Sequence, residues 1–300
     1  MTSLQTILQN PVAVKELRGR MRGRRAFVVL TIYLIMMSLL VTLVYLAQVA
    51  NAGAAYSSSG RDAGRAIFFT ILAVQAFLVT FMAPAFTAAA ISGEKERQTY
   101  DLLRTTLLSA HQLVFGKMLS ALSYLFLLIL SAVPLQSLAF ILGGVSLVEL
   151  LLTQLVIAVA GITFAMVGLF ISSLMRSVLA STVTTLATVL FMTIGAPIML
   201  SITVPIFSFI FLGTGPSPEV EALLLYGLQL LGWTNFPATL VVTEVFLLME
   251  DAIFYFNTPG TGRYTYHFIS PWLPFSLLYG LLTLLLYALT VWRIRRVADR

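Results

Sequence analysis

SGEKERQTYDLLRTTLLSAHQLVFGK, Ser92 to Lys117, is the stretch around which the chain is organised. It holds seven of the thirty Asp, Glu, Lys and Arg residues (Glu94, Lys95, Glu96, Arg97, Asp101, Arg104 and Lys117), with both signs interleaved. A charge at the centre of a bilayer costs about 2.5–3.5 kcal/mol, so this segment is poorly suited to hydrocarbon and well suited to a protein partner. Long apolar runs flank it on both sides. It reads as a docking element set into a membrane protein.

Composition points the same way. The chain is 59% hydrophobic and 10% charged, with a mean hydropathy of +0.96, against roughly 45–50% apolar and 25% charged for a soluble domain. At about 20 residues per span there is room for six to eight helices and little for an appended soluble domain. The net charge of +6 sits beside the ends of apolar runs, where Lys and Arg set topology, and does not signal nucleic-acid binding. The absence of cysteine excludes disulfides, thiolate metal sites and cysteine nucleophiles.

Outward from the charged stretch, the expected fold is all-α and polytopic, a single transmembrane domain over residues 1–300. Residues 1–25 form a basic elbow: from Pro11, Val14, Leu17 and Met21 share one face while Lys15, Arg18, Arg22 and Arg25 project elsewhere, the pattern of an interfacial amphipathic helix. Spans are expected at about 26–49, 66–91, 118–142, 147–174, 178–199 and 271–292. The first is too long for the 7–15-residue core of a signal peptide and is read as a span. Ser109 and Gln112 have capping-box spacing and start the helix that leads into the third, which is broken by Gly143-Gly144. On the fourth, Ala158, Gly161, Ala165 and Gly168 put small residues on one face, where another backbone can approach closely. On the fifth, Ser181, Thr184, Thr185 and Thr188 form a hydroxyl stripe that either lines a pathway or bonds neighbouring carbonyls, packing being the preferred role.

Before the last span, the segment 213–270 is expected to hold re-entrant or extracytoplasmic helices. Ser217-Pro218-Glu219 caps a helix over Glu219 to Leu231 that is too short to cross. Thr239 to Phe256 is nearly long enough, but Glu244, Glu250 and Asp251 favour an interfacial position. Asn257 to Ser270 reads as a polar turn region. With six spans and both termini cytoplasmic, fifteen of the eighteen Lys and Arg residues fall inside, leaving Arg61, Arg65 and Arg263 outside, as the positive-inside rule requires. The protein is expected in the plasma (inner) membrane.

What the spans lack narrows the function. Apart from Glu149 near a helix start, the unambiguous spans carry Gln75, Gln136, Gln154, Ser and Thr but no central acid, base or histidine of the kind proton- or ion-coupled transporters use. His111 and His267 fall on opposite sides of this topology. There is no HExxH pattern, metal-ligand cluster or phosphate loop. No catalytic residue, metal site or cofactor is assigned to the chain.

Ile91-Ser92-Gly93-Glu94-Lys95-Glu96-Arg97-Gln98-Thr99-Tyr100-Asp101-Leu102-Leu103 resembles the segment after the second span of type-2 (ABC-2) exporter permeases, where a Glu-x-Glu-x-Gly-Thr pattern precedes a Leu-rich helix. Asn10-Pro11-Val12-Ala13-Val14-Lys15-Glu16-Leu17-Arg18 is similar to the start of those permeases. The resemblance implies a cytoplasmic coupling helix in loop 92–117, seated in a groove of a separate ABC ATPase subunit that carries the ATP and Mg. It also implies a second permease copy or paralogue in a membrane assembly. Glu94, Glu96, Thr99, Asp101, Leu102 and Leu103 match the family's coupling positions, and Lys95, Arg97 and Arg104 join them on charge. Gln98 departs from the pattern, standing where glycine is usual, and Leu107-Leu108-Ser109 lacks the proline often found before the next helix. The function implied is the transmembrane permease of an ATP-driven exporter. The alternative is a non-transporting membrane anchor that tethers a cytoplasmic partner through the same loop.

Overall fold

An apolar chain in hydrocarbon has no water to satisfy its backbone, so its polar groups must pair within each span, which a helix achieves. The computed structural model describes residues 24–54, 60–99, 109–195, 197–199, 202–203, 205–206, 225–227, 229–230, 232–250, 253–259 and 265–298. Its helices are α1 (Arg24–Ala54), α2 (Gly60–Ala88), α3 (Ser92–Glu96), α4 (Ala110–Ser131), α5 (Val133–Ile141), α6 (Leu147–Leu174), α7 (Val178–Leu190), α8 (Phe236–Glu250) and α9 (Trp272–Ala298). Among the described residues, six helical runs are long and apolar enough to cross a membrane: Phe27–Ala50, Gly60–Glu96, Ala110–Ile141, Leu147–Leu174, Val178–Met199 and Trp272–Arg295. This is the expected all-α, polytopic architecture, with one addition, a two-stranded antiparallel sheet of β1 (Tyr255–Pro259) and β2 (Thr265–Ile269). Of the expected elbow, residues 1–25, residues 1–23 lie outside the described residues, and Arg24 and Arg25 already belong to α1.

The chain divides into two compact units, one of Met1–Leu186 with Thr283–Arg300 and one of Ala187–Leu282. In the first, α6 is the central element and packs most extensively along α2. Gly161, Ala165 and Gly168 of the small face are buried and Ala158 is half-buried. A Cβ on Gly168 would lie 2.2 Å from Thr87 Oγ1 and 2.9 Å from the Pro84 carbonyl oxygen, so the two backbones meet there. Helix α1 buries Tyr33, Met37 and Val41, one face at i, i+4 and i+8, while Phe27, Ile35, Leu39 and Leu43 stay exposed.

The Ser109–Gln112 capping box forms, with Gln112 N donating to Ser109 Oγ at 3.3 Å and Ser109 N to Gln112 Oε1 at 3.0 Å. A second box, not anticipated, opens α6: Glu149 N donates to Ser146 Oγ at 3.2 Å and Ser146 N to Glu149 Oε2 at 2.7 Å. The third span ends at the anticipated glycines, Gly143 taking a φ of 72°. It also breaks earlier, at Ala132, between α4 and α5. Pro134 lacks the N–H that would continue α4. Gln75 Nε2 donates to the Ile129 carbonyl beside this break at 3.3 Å. Gln75 Oε1 accepts from Gln136 Nε2 at 3.0 Å and from Gln154 Nε2 at 3.1 Å, and Gln154 Nε2 also reaches Gln136 Oε1 at 3.1 Å. Gln75, Gln136 and Gln154 thus pair with one another across α2, α5 and α6.

In the second unit, residues Leu225–Thr234 and Phe236–Leu248 form a helix pair bent by 119°, a broken span or re-entrant loop. Asn235 occupies the bend. Its Oδ1 accepts from Ala238 N at 2.9 Å and caps α8, and its Nδ2 donates to the carbonyls of Met192 at 3.2 Å and Thr193 at 2.7 Å. Those carbonyls belong to a π-helical turn, Phe191–Gly195. Pro197 has no N–H to offer Thr193 four residues before it, so the Asn235 amide supplies the missing donor. Tyr279 Oη donates to the Thr234 carbonyl at 2.8 Å, and Phe236, Phe275 and Tyr279 are buried around it.

Two expectations are corrected here. Helix α8 runs from Phe236 to Glu250, not from Thr239 to Phe256, because Asn235 caps it early. Asn257 to Ser270 is not a plain turn: Tyr255 pairs with Ile269 and Asn257 with His267, in strands whose Tyr, Phe, Thr and Ile content favours β structure. The proposed cap Ser217-Pro218-Glu219 lies outside the described residues.

Candidate coupling site

The charged stretch begins as α2 ends. Ser172 Oγ on α6 accepts from the backbone N–H groups of Ile91 and Ser92, both at 2.9 Å, fixing the turn between α2 and α3. Both residues are buried. Ile91 N–H and Ser92 N–H would otherwise be orphan donors at a helix start.

Each of the first three charges of α3 is engaged inside the chain. Glu94 Oε1 accepts from Lys117 Nζ at 2.6 Å, and the same ammonium donates to the Ala90 carbonyl at 2.8 Å. Lys117 sits well inside α4 with its side chain 3% exposed, against 25% for Glu94. Lys95 Nζ donates to the carbonyls of Ser173 and Met175, the latter at 3.3 Å. Arg293 Nε on α9 reaches the same Ser173 carbonyl at 3.4 Å. Two cations therefore cap the C-terminus of α6, where the helix dipole and unpaired carbonyls favour positive charge. Arg176, just past that end, lies within electrostatic reach of the Lys95 ammonium. Glu96 Oε2 accepts from Val178 N at 2.7 Å, placing a carboxylate at the N-terminus of α7, where an anion is favoured.

The end of α3 explains the unusual Gln98. Gln98 N donates to the Lys95 carbonyl at 3.2 Å and Thr99 N to the Glu94 carbonyl at 3.0 Å. With Arg97 as C-cap, this is a Schellman motif, whose C′ residue takes a left-handed conformation and is usually glycine. Gln98 occupies that position with φ 57°, the one non-glycine residue with positive φ among those described. Arg97, Gln98 and Thr99 are exposed. Asp101, Leu102, Leu103 and Arg104 lie outside the described residues.

The family model described as ABC-2 family transporter protein matches residues 10–258, which include all of this site but Arg293. The chain belongs to the ABC-2 family. It is accordingly a multi-pass membrane protein and the permease component of an ABC transporter, in a family that works with an ABC ATPase. No curated protein matches the chain.

The hydroxyl stripe of this ABC-2 permease divides. Ser181 is buried and donates to the Ala88 carbonyl at 2.5 Å, joining α7 to the end of α2. Thr185 is buried, its methyl 3.3 Å from the position of a Cβ on Gly168. Thr184 and Thr188 are half-buried. The two inward residues therefore pack. Ser172, Ser173 and Arg293 were not anticipated as partners of the charged stretch, nor was Lys117, its last residue, as the partner of Glu94. Lys117 alone carried a signal, as a lysine within an otherwise apolar helical run.

Proposed function

We propose that this chain is the transmembrane permease of an ATP-driven exporter, with loop 92–117 docked on a separate ATPase subunit. The observation that carries the proposal is the seating of α3. Ser172, Lys117, the α6 terminus and Val178 hold it to three spans, α4, α6 and α7, beside the α2 that it follows, while Arg97 to Thr99 face outward. A helix clamped in this way moves with the bundle, and a push on its exposed end reaches α2, α4, α6 and α7 together.

On this reading both termini and α3 are cytoplasmic, in the plasma membrane, and two permeases work with two ATPases. Nucleotide binding closes the ATPase pair, displaces both coupling helices and tilts the bundles to open a path outward. ATP and Mg are held by the partner, and no nucleic acid is involved. The segment around the 119° bend belongs to the extracytoplasmic side, as a gate or a contact for a further subunit.

The test is affinity purification of the tagged chain in mild detergent, with mass spectrometry of what accompanies it and an ATPase assay on the complex. A stoichiometric ABC ATPase, lost when Glu94 and Glu96 are both replaced by Ala, is the expected result. Its absence from a folded preparation would overturn the proposal in favour of the membrane-anchor alternative.

A further inference from the structure

The β1–β2 hairpin is tied to the head of the last span. Trp272, the first residue of that span, donates its indole N–H to the Ile253 carbonyl at 2.8 Å, and its ring centroid lies 5.9 Å from that of Phe254. Ser270 N donates to the Phe254 carbonyl at 2.8 Å. These contacts hold the base of both strands against the start of α9, so the base of the hairpin lies where that span enters the membrane.

Side chains alternate between the two faces of a strand, and directly opposed residues of an antiparallel pair share a face. Tyr255 pairs with Ile269 and Asn257 with His267, so these four lie on one face. All four are exposed, Tyr255 at 68% and Ile269 at 46%. Phe268 belongs to the opposite face, where its ring centroid lies 5.7 Å from that of Tyr226. The exposed face is graded. Tyr255 and Ile269 stand at the base, near Trp272, and Asn257 and His267 follow, paired through Oδ1 and Nδ1 at 2.5 Å. Phe254, against Trp272, is 56% exposed. Between Asp251 and Arg293 the sequence holds one Asp, Glu, Lys or Arg residue, Arg263, in the connection between the strands.

We infer that this hairpin is a membrane-interface anchor: Phe254, Tyr255 and Ile269 sit in the lipid leaflet at the head of α9, and Asn257 and His267 reach its headgroups. Tyr and Trp belong at this level, where an apolar ring meets hydrocarbon and a polar tip meets water. The step from Tyr255 to Asn257 is about 7 Å of strand, close to the thickness of one headgroup layer. An uncharged base that turns polar two residues further out follows the polarity of the leaflet itself. The anchor depends on α9 being a span and not on ATPase docking, so it and the exporter reading fail separately.

The chain has no cysteine, so Y255C, N257C, H267C and I269C each accept a single spin label. The experiment reconstitutes the four labelled full-length proteins in phosphatidylcholine bilayers and measures, by power-saturation electron paramagnetic resonance, their access to oxygen, which concentrates in hydrocarbon, and to a water-soluble nickel chelate. Labels at 255 and 269 are expected to favour oxygen and to lie deeper than those at 257 and 267, by up to the about 7 Å of the strand step. Hydroxyl-radical footprinting of the unsubstituted chain in the same bilayers supplies a reading that no variant can disturb, with Phe254 and Tyr255 protected and His267 oxidised. Nickel access at 255 and 269 equal to that at 257 and 267 would place the hairpin in water and overturn the anchor. Shielding of 255 and 269 from both reagents would overturn it in favour of a protein cover, a second copy or a further subunit.

Discussion

Removing the Glu94–Lys117 pair one partner at a time should have unequal consequences. Lys117 makes two charge-assisted hydrogen bonds from a position 3% exposed within a 22-residue helix. Glu94 is a quarter exposed on a five-residue helix. Breaking a fully buried pair costs about 3–5 kcal/mol, because the remaining charge has no compensation. E94A takes the paired carboxylate from an enclosed ammonium that keeps its bond to the Ala90 carbonyl, and should cost about 3 kcal/mol, the lower end of that range. K117M keeps the apolar stem and leaves a carboxylate whose short helix can turn it toward water; we expect about 1–2 kcal/mol. The double variant carries no stranded charge and should cost little more than K117M, giving a coupling energy of about 2 kcal/mol. Equilibrium unfolding of the four proteins in mixed micelles, followed by tryptophan fluorescence, provides the cycle. Coupling below about 0.5 kcal/mol, the level expected of independent sites, or K117M proving the more damaging single change, would refute the assignment of Lys117 as the buried anchor of α3.

Three further outcomes follow from the geometry. Q98G should stabilise α3 by up to about 1 kcal/mol, since a left-handed side-chain residue costs roughly 1–2 kcal/mol and glycine's extra unfolded-state freedom offsets part of the relief; slower hydrogen exchange at the amides of residues 98 and 99 is the check. G168A places a methyl 2.9 Å from a backbone oxygen that cannot swing aside, and overpacking of this kind costs about 1–3 kcal/mol, visible as a lower Tm. N235A uncovers the Thr193 carbonyl and removes the α8 cap; each loss is worth about 1 kcal/mol or more, and N235D, which keeps the cap but not the donor, should recover only part of the Tm.

The six spans were legible because hydrocarbon imposes one rule on every residue of a long apolar run. Capping at Ser109 and close packing at Gly168 were legible for a similar reason: both are short-range chemistry with a fixed spacing. The seat of α3 was not. Its charges read as surface charges awaiting a partner, yet Ser173 and Val178 lie 78 and 82 residues from Lys95 and Glu96, and no spacing rule spans that distance. Gln98 carried a usable hint. A residue standing where glycine is usual marks a backbone conformation that the chain must still adopt, and φ 57° is that conformation. The strand pair was also readable, from alternating Tyr, Phe and Thr on both sides of Pro259-Gly260, and was missed because the membrane pattern dominated the region.

The Asn235 amide has a consequence for the order in which the protein is made. The π-helical turn near the end of the fifth span needs a donor that lies 42 residues further along the chain. At about 5–20 residues per second of synthesis, the Thr193 carbonyl waits some 2–8 s before Asn235 has even been translated. During that interval the turn has no native partner in the nascent chain, so the fifth span enters the membrane unfinished and acquires its final shape only once the 119° bend has formed.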